Sequence, residues 1–117
     1  TVEGRYVYEV MLDHLEPTVL LQPDTYWIKT AGVDPAAVVR RLGARAPLLH
    51  IKDGPCVKGE PMTAVGDGTV DVPAIVAAGG AHTQWLIVEI DRCATDMLEA
   101  AAKSARYLLA QGLGRGR

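Results

Sequence analysis

An α/β fold with parallel strands is what this sequence predicts, on three observations. Helical and strand patterns alternate along the chain. The connections between them are short, which in this order means parallel strands joined by helical crossovers. The strand runs are apolar throughout, as in strands buried on both faces. At 117 residues, the chain is about half of the roughly 250 that a closed eight-stranded barrel needs. Two architectures fit: part of such a barrel, or a small three-stranded open sheet.

Each element has its own signal. Residues 5–15 place Val7, Val10, Met11 and Leu15 at helical spacing, while Tyr6, Tyr8 and Val10 alternate as in a strand. Val19 to Gln22 is a short apolar run after Pro17 and reads as the first buried strand. Pro23 removes one ladder donor at its end. Asp34-Pro35 starts a helix, since Asp caps free amides and Pro fits the first turn. That helix runs through Val38, Val39 and Leu42 to Gly43. Pro47 to Ile51 is the second strand. The Gly- and Pro-rich stretch from Asp53 to Val70 is irregular, and Gly66-Asp67-Gly68 within it reads as a turn. Asp71 and Pro73 open the next helix, which ends at Gly79-Gly80. Trp85 to Glu89 is the third strand. The last helix takes Thr95 or Asp96 as cap, with Met97, Ala101, Ala105, Leu108 and Leu109 as its stripe and Gly112 as its stop. The expected sum is three parallel strands alternating with four helices, over one domain of residues 1–112. Residues 113–117 read as a frayed tail.

Composition narrows the function. Twelve Lys plus Arg against 14 Asp plus Glu, scattered along the chain, argue against nucleic-acid binding. No apolar stretch nears the roughly 20 residues of a membrane span. Two cysteines, Cys56 and Cys93, cannot form a disulfide framework, so free thiols in a reducing compartment, the cytoplasm, are expected. Thr1-Val2-Glu3-Gly4 shows no initiator Met and no signal-peptide pattern, and reads as a start inside a longer polypeptide.

Polar residues gather where strands end. The first run ends Gln22-Pro23-Asp24, the second His50-Ile51-Lys52-Asp53, and the third Glu89-Ile90-Asp91. Function in parallel α/β folds collects at those ends. Asp24, His50 and Glu89 supply two carboxylates and an imidazole, a donor set that suits Mn²⁺, Mg²⁺, Co²⁺ or Zn²⁺. Glu89 within an apolar strand needs a partner if buried, and a carboxylate there can move a proton. Each residue also has a plain structural reading: a core histidine for His50, a turn cap for Asp24.

These residues carry a resemblance. Asp24-Thr25-Tyr26-Trp27, Ala31-Gly32-Val33-Asp34-Pro35 and His50-Ile51-Lys52-Asp53 resemble the sugar phosphate isomerase/epimerase superfamily of xylose-isomerase-like TIM barrels. So do residues 65–71, 85–91 and 104–108, in order along nearly the whole chain. The resemblance implies the C-terminal half of a (β/α)₈ barrel: the fifth helix, then strands six to eight with their helices. It implies that Asp24, His50 and Glu89 hold a divalent metal, with a fourth ligand, a Glu, upstream of Thr1. Glu3 directly precedes the first helix and does not match that ligand. It further implies that Glu89 is one of two catalytic acid–base groups moving a proton beside a carbonyl. Lys52 and Trp27 are the substrate-binding candidates. Trp27 stands where ketose epimerases carry a substrate-gripping His, and Cys56 where they carry an Arg, a form similar to a broad bacterial branch of the family.

The expected function is therefore metal-dependent isomerisation or epimerisation of a small sugar or sugar phosphate by the full parent protein, with the 117-residue chain alone inactive. Dehydration of a keto-inositol or related polyol starts with the same proton abstraction. A non-catalytic half-barrel that only binds a partner or a sugar is the rival of another class. Half a barrel would leave open sheet edges and an apolar face, so pairing with the missing N-terminal half or with a second copy is expected.

Overall fold

The computed structural model describes residues 1–116. It overturns the expected half-barrel of three strands and four helices. Among the described residues the sheet has two strands, β1 (Leu48–Ile51) and β2 (Trp85–Val88), and the chain forms five α-helices. These are α1 (Val7–His14), α2 (Thr25–Thr30), α3 (Pro35–Leu42), α4 (Val72–Gly79) and α5 (Met97–Ala110). Single 3₁₀ turns at Gly43–Arg45 and Gly80–His82 follow α3 and α4. The whole is a slab of 40 × 32 × 19 Å.

The lost strand has a physical reason. Val19 to Gln22 is apolar but not buried: Val19 and Leu20 are 40% and 60% exposed. Pro23 has no N–H, so a ladder cannot run through it. The segment still lies beside β1. Leu21 N–H donates to Arg45 O (2.6 Å), His50 N–H donates to Pro23 O (3.1 Å), and Asp24 forms a single parallel bridge with His50. The missed element is α2, whose six residues are too few to show a helical period. Asp24 Oδ1 caps it by accepting from Trp27 N–H at 3.0 Å.

The other helices follow their end signals. Asp34 accepts from Ala36 N–H, Asp71 from Ala74 N–H and Asp96 from Glu99 N–H, each at 2.9–3.0 Å. A side-chain cap of this kind stabilises by about 1 kcal/mol. Gly43 and Gly80 close α3 and α4 at positive φ, where a Cβ would be strained. α3 and α4 make the largest helix–helix contact, with Val38, Val39, Leu42, Val72 and Ile75 buried. α1 is helical, as one of the two readings of 5–15 had it, but its expected stripe is rotated. Val7 and Met11 face outward at 56% and 48% exposure, and Tyr8 and Leu12 pack on the core. The Glu9–Arg41 ion pair ties α1 to α3. Beyond α5, Leu113 N–H returns to Leu108 O (2.9 Å), and Leu113 packs on the core. Within the expected tail, Arg117 lies outside the described residues.

β1 and β2 run parallel, with Leu48 opposite Trp85, His50 opposite Ile87 and Ile51 opposite Val88. Alternation sorts the two faces. Leu49 and Ile51 are fully buried toward the helices. Leu48, His50 and Ile87 lie on the other, half-open face, and His50 shares it with Lys52, while Glu89 and Asp91 continue the side of Ile87 just past β2.

Candidate functional site

Three elements deliver four polar side chains to one end of the sheet. Asp24 arrives on the segment bridged to β1, His50 in β1, Lys52 directly after it, and Glu89 directly after β2, where its N–H donates to Ile51 O (3.2 Å). The structure brings Asp24, His50 and Glu89 together: one ligand atom from each lies within 4.8 Å of the other two. His50 Nδ1 is 2.9 Å from Glu89 Oε2 and 3.9 Å from Asp24 Oδ2. Asp24 divides its work, with Oδ1 capping α2 and Oδ2 facing the cluster. The capping reading of Asp24 holds for Oδ1, and Oδ2 is left to the cluster.

Lys52, a substrate-binding candidate from the sequence, is 3% exposed and stands among three carboxylates. Its Nζ donates to both oxygens of Asp91 (3.0 and 2.9 Å) and lies 3.0 Å from Asp24 Oδ2 and 3.3 Å from Glu89 Oε2. An ammonium has three hydrogens. Here they point among three carboxylates. Burial pushes the Lys52 pKa down, but the hydrogen bonds and charges of Asp91 and Asp24 outweigh it, and the net shift is upward. Lys52 therefore stays charged.

Asp91 was missed. Its signal was the two-residue step from Glu89, which puts both on one side of the chain past β2. Lys52 holds the Asp91 carboxyl below its usual range against the opposing effect of burial, and the Trp27 side chain adds a further hydrogen bond. Trp27, 42% exposed, therefore stands at the rim of the cluster, edge-on to Tyr26 with ring centroids 5.3 Å apart. It also borders an apolar groove of about 410 Å³, together with Tyr8, Pro23, Asp24 and Ile28. A larger groove of about 590 Å³, between β2 and α5, touches none of these polar residues.

The lowered Asp91 pKa has a consequence for stability. A carboxyl whose folded-state pKa lies below its unfolded value stabilises above the ordinary carboxylate range, and that contribution is lost as pH falls through the folded value. Asp91→Asn is expected to destabilise the protein by about 1 kcal/mol at neutral pH, a small effect because solvent screens a half-exposed group. The difference should vanish in acid. Urea midpoints of both proteins, from about pH 7 down to about pH 2, check this. A gap that stays constant over that range refutes the Lys52–Asp91 account.

Glu89 carries the strongest hint of a ligand. Its Oε2 is shielded from solvent and has no hydrogen bond of good geometry, although two nitrogens lie within 3.3 Å. Buried polar atoms are nearly always satisfied. A lone pair at the centre of a two-carboxylate, one-imidazole cluster suits a hard or borderline divalent cation. Charge agrees: the carboxylates of Asp24, Glu89 and Asp91 against the one ammonium of Lys52 leave −2 with His50 neutral.

No family model matches the chain, and no curated protein matches it. No helix among the described residues is long and apolar enough to cross a membrane.

Proposed function

We propose that this chain supplies a divalent-metal site for proton transfer beside the carbonyl of a small sugar or sugar phosphate, as in isomerisation or epimerisation. The observation that carries the reading is the Asp24–His50–Glu89 cluster, in which Glu89 Oε2 is shielded and lacks a hydrogen bond of good geometry. Asp24, His50 and Glu89 would hold the ion, taken as Mn²⁺, Mg²⁺, Co²⁺ or Zn²⁺. When bound, it supplies polarisation of the substrate carbonyl and charge stabilisation of the enediolate. Glu89 takes the proton from the neighbouring carbon. His50 and Lys52 hold Glu89 in place, and Trp27 offers a ring face at the rim against which a sugar can lie. The motif likeness points to a sugar, and a polyol dehydratase would use the same first step.

A second reading has its own observation. The Lys52 ammonium already neutralises part of the cluster, so the chain can be a non-catalytic binding module in which lysine replaces the metal. Titration with Mn²⁺, followed by its electron paramagnetic resonance signal, separates the two. Saturable binding that weakens in Asp24→Asn and His50→Ala supports the metal site. Loss of a ligand should cost at least the roughly 10–100-fold seen for outer-shell partners. No binding by the wild-type chain favours the lysine-filled module.

A further inference from the structure

Lys52 is the least ordinary residue of the cluster. Lysine is almost never fully buried unless paired, and burying an ammonium is costly unless its partners are well placed. Here the side chain is 3% exposed, and its Nζ reaches Asp91, Asp24 and Glu89 within 3.3 Å. The Asp24 Oδ2 and Glu89 Oε2 atoms that it touches are the same ones that approach His50 Nδ1. An ion held by Asp24 and Glu89 therefore shares both carboxylates with a cation that cannot leave.

We infer that Lys52 is a positioning residue that sets the charge of this site, tuning it to divalent rather than trivalent cations and holding Asp24 and Glu89 in place for them. The inference rests on the metal-site reading above. Three carboxylates with Lys52 present −2 to an incoming ion; without it they present −3. Coulomb energy scales with the product of the charges, so each added negative charge favours a trivalent ion over a divalent one. Asp91 belongs to the same device from the outside. It takes two hydrogen bonds from Lys52 and keeps the ammonium pulled toward the rim.

The test uses Mn²⁺ and Tb³⁺ as probes on the 117-residue chain, read by electron paramagnetic resonance and by terbium luminescence. Lys52→Met should raise the affinity for Tb³⁺ relative to Mn²⁺ by about fivefold, at an effective dielectric near that of water. Lys52→Arg, which keeps the charge, should leave the ratio near wild type. Asp91→Asn, which removes an anion without touching a metal-ligand candidate, should move the ratio the opposite way. If Lys52→Met fails to fold, Asp91→Asn still carries the test, because its side chain is 42% exposed and the expected loss of stability is small. Wild-type binding of Mn²⁺ with an unchanged ratio in these variants overturns the charge-setting role and leaves the metal site standing. Absence of Mn²⁺ binding by wild type overturns both.

Discussion

Solvent deuterium is expected to enter the carbon beside the carbonyl of a bound ketose or ketose phosphate, and Glu89→Gln is expected to slow that exchange by roughly 10²–10⁴-fold. The substitution keeps the shape of the side chain and removes its capacity to accept a proton. Glu89 is the right group to lose because its Oε2 is shielded, lacks a hydrogen bond of good geometry, and faces the cluster rather than solvent. Glu89 is also a metal-ligand candidate, so the comparison is made at saturating Mn²⁺, and binding is measured separately. One base is enough to remove a proton and return deuterium to the same face. Inversion needs a second group opposite. Glu89 acting alone should therefore give exchange without epimer. Exchange in Glu89→Gln equal to wild type, with metal bound, would remove Glu89 from its catalytic role. Epimer formed by the chain would mean that a second acid–base group works beside Glu89.

Much of this arrangement can be read from local sequence, and the failures share a cause. α3, α4 and α5 are legible because their ends carry chemistry: Asp34 with Pro35, Asp71 with Pro73, Asp96, and the closing Gly43, Gly80 and Gly112. β1 and β2 are legible because each is a dense apolar run. Val19 to Gln22 has the same density, and there the rule misleads. Its hydrogen bonding is decided by Pro23 and by its place at the edge of the slab, which composition does not encode. α1 shows the same limit at the level of a helix face: Tyr8 and Leu12, not Val7 and Met11, pack on the core. In the site, Asp24, His50 and Glu89 are legible as polar ends of apolar runs. The burial of Lys52 is not. A lysine after a strand reads as solvated until Asp91, 39 residues on, is placed beside it.

Asp53→Ala is expected to bring the protein close to unfolding, at a cost of about 3–5 kcal/mol, because four amides, two of them buried, lose their acceptor at once. Asp53 is 1% exposed and follows Lys52 directly. Its Oδ1 accepts from Gly54 N–H (2.8 Å) and Val70 N–H (3.0 Å), and its Oδ2 from Gly66 N–H (2.9 Å) and Gly68 N–H (3.1 Å). One carboxylate thus organises the irregular stretch from Gly54 to Val70, which has no regular ladder of its own. Gly68 must be glycine for this, since a Cβ there would collide with Asp53 Oδ1 and Gly54 N. Net stabilities of small domains are about 5–15 kcal/mol, so such a loss removes much of the margin. Asp53→Asn separates charge and acceptors from packing. It fills the same space but turns an NH₂ group toward two of the four amides, so about half the cost should remain. Urea unfolding at neutral pH, followed by circular dichroism, should rank the midpoints wild type above Asp53→Asn above Asp53→Ala. Equal midpoints for all three would mean that the loop is held by something other than Asp53. The end of β1, where Lys52 meets its carboxylates, would then need another anchor.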